Sequence, residues 1–217
     1  MGILLSDELR LLYAIALNAI VFYSAWRFAR RRTADRLQAV ADALLIYYLV
    51  QYLAVGLTGL VGILGARGMT GAALLLCAVL WFLATRRSAR PPVPLPRVDF
   101  LFVSACALFI SGYAGALVYH QAELPVTSND ALTYHLPAAV QWLQTGRLGL
   151  FEAWFYNPAN SYSPLAGSMF MAWLIAPMGN DVLARFVEAV PLIFIFVLMT
   201  NLCRALGARA HACREQK

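Results

Sequence analysis

Charge is scarce in this sequence. Asp, Glu, Lys and Arg make up 13% of its 217 residues, against the roughly 25% of a soluble domain. Together with 61% hydrophobic residues and a mean hydropathy of +0.67, this excludes a soluble enzyme, a secreted disulfide scaffold and a disordered tail. Cysteine is sparse too. Cys77, Cys106, Cys203 and Cys213 form no close-spaced ligand pair, and His211 does not turn the last two into a zinc site, so all four read as packing residues. MGILLSDELR has no basic n-region and no cleavage site, so no removable signal peptide is expected. MGILLS fits the myristoylation pattern by chance, because one acyl chain adds little to a chain that already spans the bilayer. There is no internal repeat, no low-complexity tract and no nucleotide-binding motif. The net charge of +6 does not point to nucleic acid, since the basic residues sit in short clusters between apolar runs.

What the sequence has in abundance is long apolar runs. A bilayer core about 30 Å thick needs about 20 apolar residues per helix. Five runs meet that length, at about 10–29, 39–64, 68–85, 99–119 and 183–203. A sixth, 165–178, has the length of an interfacial or re-entrant segment. Arg27, Arg30, Arg31, Arg32 and Arg36 follow the first run. Arg86, Arg87, Arg90 and Arg97 separate the third from the fourth, and Arg204, Arg209, Arg214 and Lys217 follow the last. The positive-inside rule places all three clusters in the cytoplasm. Five spans satisfy this, whereas a sixth through 165–178 would send the last cluster outside.

The expected fold is therefore an all-α, polytopic transmembrane bundle of about five spans in a plasma membrane. The N-terminus and one large loop, 120–182, lie outside, the C-terminus is cytoplasmic, and the loop carries short interfacial helices. Four prolines in RPPVPLPR make 90–98 an extended cytoplasmic linker. It separates a three-span unit, 1–89, from 99–207, and 208–217 is a tail.

The outside loop holds the most specific residues. In SNDALTYHLPAAVQWLQTGRL, Ser128, Asn129 and Asp130 are good caps. Leu132, Leu136, Val140 and Leu143 recur at helical spacing, Pro137 suits a first turn, and Gly146 is a natural stop. The spacing predicts a short amphipathic helix on the membrane. Trp142, Trp154, Phe155 and Tyr156 suit the headgroup level. NPANSYSPLAG reads as a turn feeding the short apolar segment. Each polar residue has a plain reading beside a functional one. Asp130 is a cap or a reactive carboxylate, Tyr134 and His135 are interface anchors or ligand contacts, and Arg185 snorkels or faces a phosphate. Glu152 reads as solvated, and Asn18 and Gln51 as bridges between helices.

A span, then DALTYHLPAAVQWLQTGRL, then YNPANSYSPLAG, then a short apolar segment, then GNDVLARFVEAVPLIFIFVLMTNLCRALG: this order resembles the N-terminal part of the GT-C superfamily of membrane glycosyltransferases. The branch it looks like is the bacterial one allied to protein O-mannosyltransferases and the lipid A aminoarabinose transferase. The resemblance covers about 99–207. It implies a carboxylate acting on the acceptor, which Asp130 matches, although Asn129–Asp130 supplies one acid where the mannosyltransferases have a pair. It implies an arginine facing the lipid-linked donor's phosphate, which Arg185 matches. Tyr162 and Pro164 match the family's aromatic and proline turn, while Leu165, Ala166 and Gly167 replace the glutamate or lysine that follows it.

The resemblance implies transfer of a sugar from a polyprenyl-phosphate donor to an acceptor hydroxyl at the outer face, with inversion. Asp130 would be the general base and Arg185 the cation at the leaving phosphate, with His135 and Arg147 as further candidates. Tyr134 and Tyr162 would line the site. No cofactor is required, and the participation of a divalent metal is left open. The expected partners are membrane lipid and the donor, with no nucleic acid. Family members carry several more spans, so the chain is expected to be a truncated product, a fragment or one half of a split enzyme completed by a second membrane chain. The rival is a non-catalytic homologue or scaffold subunit. A small transporter fits less well, because the interior polar residues are scattered and no inverted repeat is present.

Overall fold

The first helix is delimited by its own charges. Ser6 caps it, its side chain accepting from the Leu9 amide at 3.5 Å. Asp7 and Glu8 fill the first turn of α1 (Asp7–Arg32), and Arg30, Arg31 and Arg32 fill the last. Both placements complement the helix dipole. Thr33 is extended, and the Asp35 carboxylate then accepts from the Gln38 amide at 2.8 Å and opens α2 (Arg36–Val61). Gly62, at φ 81°, ends α2 in the left-handed conformation that glycine adopts without strain. α3 (Ala66–Thr85) returns alongside. Alanines at the contact, among them Ala14, Ala25, Ala39, Ala43 and Ala54, are buried and let the backbones approach closely.

The computed structural model describes residues 6–85, 135–150, 166–187, 191–202 and 204, with a few single positions between 104 and 132. After α3 the next described elements are α4 (Leu136–Thr145) and α5 (Ala166–Met178). A 3-10 turn (Leu183–Phe186) and a last helix, α6 (191–202), follow. Every regular element among the described residues is helical. Four stretches are long and apolar enough to cross a membrane: Asp7–Arg32, Arg36–Val61, Ala66–Thr85 and Leu183–Leu202. The chain is a helical membrane protein, and these stretches agree with four of the five expected spans. The fifth, 99–119, and the linker 90–98 lie wholly or mostly outside the described residues.

α6 runs antiparallel to α2. Phe194 meets Tyr48, Val197 packs with Ala41 and Leu44, and Asn201 donates to the Leu37 carbonyl at 3.2 Å. The alignment ends on an ion pair. Arg204 Nη1 and Nη2 donate to Asp35 Oδ1 and Oδ2 at 3.3 and 3.1 Å. Arg30–Arg32, Arg36 and Arg204 therefore share one end of the bundle. α3 finishes there as well, with Trp81 beside Ser24 and Arg27. The described residues of the first and last clusters thus share one end of the bundle, while Arg86, Arg87, Arg90 and Arg97 lie outside the described residues.

Partial burial pushes the Asp35 carboxyl up. The Gln38 amide, the Arg204 guanidinium and the Leu37 amide outweigh it and hold the carboxyl below its ordinary range. A depressed carboxyl contributes stability above its unfolded value, about 3.9, and loses it as pH falls through the lower folded value. Asp35→Ala should cost about 1–2 kcal/mol, combining a lost cap with a partly screened ion pair. Asp35→Asn keeps a capping side chain and should cost under about 1 kcal/mol. Unfolding of the three proteins in detergent at neutral pH and near pH 3 checks this, since the difference between wild type and Asp35→Asn should shrink in acid.

Candidate functional site

The end of the bundle opposite the basic cluster is assembled around α5. This 13-residue helix is too short to span. It packs into the bundle rather than against its outside. Trp173 and Ser168 have no exposed surface, and the Phe170 ring lies 5.1 Å from that of Tyr48, tilted by 46°. Its two ends are tied to different helices. Met169 lies 3.6 Å from where a Cβ on Gly56, late in α2, would stand. The Met178 carbonyl accepts from Arg10 Nη1, early in α1, at 2.9 Å. Between these ends, Trp173 reaches the middle of the bundle.

What holds Trp173 there is Asn18. Its Oδ1 accepts from Trp173 Nε1 at 3.0 Å, the Tyr47 hydroxyl at 2.6 Å and Gln51 Nε2 at 3.2 Å. Its own amide donates to the Ala14 carbonyl at 2.8 Å. The expectation that Asn18 and Gln51 bridge helices is met, and α5 joins the bridge.

α4 is the amphipathic helix the spacing predicts, with Pro137 in its first turn and Gly146 at φ 71° closing it. Two backbone bonds clamp its far end to the turn after α2. The Leu64 amide donates to the Gly146 carbonyl at 2.9 Å, and the Leu148 amide to the Gly59 carbonyl at 3.1 Å. One reading is corrected. Trp142 is not a headgroup anchor, since it is 3% exposed and donates to the Gly149 carbonyl at 2.7 Å. Protein satisfies both its ring and its N–H, so nothing draws it to the interface. The face that α4 buries deepest is Ala138, Ala139 and Trp142. Leu136, Val140 and Leu143 are half-buried and wall a cavity instead.

That cavity, about 420 Å³, lies between α4, the end of α5 and the start of α3. Ile175 adds to its apolar wall, and Gln144, Asn180 and Asp181 supply polar groups. Asp181 pairs with Arg185 at 3.6 Å across one turn. Arg10 reaches within 3.1 Å of the Cβ position of Gly179 on the cavity wall. Arg147 is exposed and lies over Gly62, 3.0 Å from its Cβ position, and Arg67 is exposed one residue beyond the lining Ala66. His135 Nδ1 and Ser168 Oγ are hydrogen-bonded at 2.9 Å, which ties the start of α4 to α5.

Of the residues nominated from sequence, Arg185, Arg147 and His135 are all at this end. Asp130, Tyr134 and Tyr162 lie outside the described residues, as do Glu152, Trp154, Phe155, Tyr156 and Pro164. Sequence reasoning missed Arg10, Arg67, Gln144 and Asp181. One signal was available. Arg10, Arg67, Arg147 and Arg185 are the only Lys or Arg residues of the sequence outside the three clusters; none lines the cavity, but Arg10 approaches its Gly179, Arg67 follows its Ala66 and Arg185 pairs with its Asp181. Among the described residues no group of three or more His, Cys, Asp or Glu is placed to hold a metal. No family model, curated protein or solved structure matches this chain.

Proposed function

We propose that the chain is a glycosyltransferase, or the N-terminal part of one, that takes a sugar from a polyprenyl-phosphate donor to an acceptor hydroxyl at the outer face of the membrane. The observation that supports the reading is an apolar cavity with polar groups at Gln144, Asn180 and Asp181, beside which Arg10 approaches Gly179 and Arg185 pairs with Asp181. An isoprenoid phosphate asks for both halves of this arrangement. Its chain suits the wall of Leu136, Val140, Leu143 and Ile175. Its phosphate suits guanidinium groups, which bind such oxygens with paired donors. Gln144, Asn180 and Asp181 suit sugar hydroxyls.

In this reading Asp130 takes the proton of the acceptor hydroxyl. The acceptor oxygen bonds to the sugar carbon as the bond from that carbon to the phosphate oxygen breaks, on the opposite side. The leaving phosphate carries the charge away, and Arg185 stabilises it as it develops. The decisive assay follows radiolabelled sugar from polyprenyl-phosphate donors in membranes holding the chain, alone and with its genetic neighbours. Asp130→Asn should lower turnover by about 10²–10⁴ with donor binding kept. Arg185→Ala should weaken binding and turnover together. Activity of Asp130→Asn near wild type would remove the catalytic assignment, because asparagine caps a helix as well as aspartate does.

The orientation in this proposal follows from the positive-inside rule. A single cysteine at Glu152 should react with an impermeant thiol reagent in intact cells, and one at Arg32 should not. A reporter fused after Met178 should read as outside. A reactive cysteine at Arg32 in sealed cells, or a cytoplasmic reporter, sinks the orientation.

A further inference from the structure

A second cavity lies in the groove between α1 and α3. It measures about 650 Å³, and Ile20, Tyr23 and Ser24 of α1 and Cys77, Ala78 and Trp81 of α3 line it. Ile20 and Tyr23 are 46% and 55% exposed. Apolar surface of this kind on two helices long enough to span suits contact with lipid.

Arg27 continues the α1 face by one turn beyond Tyr23. Its guanidinium carbon lies 4.0 Å from the centre of the Trp81 ring. The ring is fixed, since Trp81 Nε1 donates to Ser24 Oγ at 3.1 Å and Ser24 donates to the Ile20 carbonyl at 2.7 Å. Arg27 Nε is buried without a partner among the described residues, and no described carboxylate lies within ion-pair distance of the side chain. A cation is thus held over an aromatic face at one end of an apolar groove, with no carboxylate among the described residues within ion-pair distance.

Depth identifies what answers it. Asp7 and Arg27 are separated by about 30 Å along the helix at 1.5 Å per residue, the thickness of the hydrocarbon core. With the start of α1 at one membrane surface, Arg27 stands at phosphate level on the other. We infer that the α1–α3 groove is a binding site for an anionic phospholipid, with one acyl chain along Ile20, Tyr23 and Ala78 and the headgroup phosphate accepting from the Arg27 guanidinium. The inference is independent of the proposed transferase activity and concerns the opposite membrane face.

The test uses the full chain reconstituted in vesicles of phosphatidylcholine and phosphatidylglycerol in equal amounts. The protein is then extracted and washed in detergent, and the lipid retained is counted by native mass spectrometry. Wild type should keep phosphatidylglycerol in preference. Arg27→Gln should lower that preference about tenfold, through loss of a charge-assisted contact. Ala78→Phe, at an exposed position of the groove, should displace the chain and lower retention with every charge in place. Arg36→Gln, a charge at the same end on α2, should leave retention unchanged. Equal losses in Arg27→Gln and Arg36→Gln would mean diffuse attraction to the basic end, and wild-type retention in Ala78→Phe would mean no seated chain. Either result overturns the site.

Discussion

Asn18→Leu should destabilise the folded protein by about 2–4 kcal/mol. Leucine fills nearly the same volume, so the cavity contribution is small. The loss comes from three donors on two other helices, Tyr47, Gln51 and Trp173, which share one acceptor. Hydrogen bonds between membrane helices average about 0.6 kcal/mol and reach about 1.7, and a buried donor left unsatisfied costs about 1–3 kcal/mol. Removing the acceptor strands all three at once, which places the total above any single pair. Unfolding by denaturing detergent or by steric trapping gives the number. A double-mutant cycle tests the shared role, because Trp173→Phe should cost less in the Asn18→Leu background than alone. A change within about 0.5 kcal/mol for Asn18→Leu would show that the donors find other partners.

Gly59→Val should release α4. A Cβ at Gly59 runs into the side chain of Leu148, whose amide donates to the Gly59 carbonyl at 3.1 Å. Moving Leu148 strains that bond and the neighbouring one from Leu64 to Gly146, so one small side chain disturbs both ties. Overpacking of this kind costs about 1–3 kcal/mol, here concentrated on α4. A cysteine replacing the fully buried Ala139 should then react with a thiol reagent about tenfold faster, since about 1.4 kcal/mol is a factor of ten. Gly56→Ala is the control. Among the described residues its Cβ meets Met169 alone, at an ordinary 3.6 Å, and alanine is the better helix former. Equal reactivity in Gly59→Val and wild type would mean that the two backbone ties do not hold α4.

The different reach of the sequence is clearest at these two positions. Asn18 stands out as an amide inside an apolar run, and the cost of leaving it unpaired in the bilayer marks it as a bridge. Gly59 does not stand out, because its role is to leave room for Leu148 and to lend a carbonyl, and neither has a side-chain signature. The spans are legible because the bilayer sets their length, and their common end is legible because arginine marks it. Trp142 was misjudged for a physical reason. Tryptophan suits either a wet interface or a dry slot with one acceptor, and only the fold supplies the Gly149 carbonyl. Arg10 was passed over as the edge of a span, although its partner, the Met178 carbonyl, is 168 residues away in the chain.

The distance in sequence between Asn18 and Trp173, 155 residues, also has a meaning in time. At a synthesis rate of about 5–20 residues per second, roughly 8–30 s separate the appearance of the acceptor from that of its last donor. Tyr47 and Gln51 follow Asn18 within 33 residues, so α1 and α2 can pair early around a half-occupied oxygen. α5 is too short to be retained by the bilayer alone. The receptacle for it, α1 and α2, is made before α5 is synthesised, and a slow insertion of α1 would leave this apolar segment exposed to chaperones and proteases.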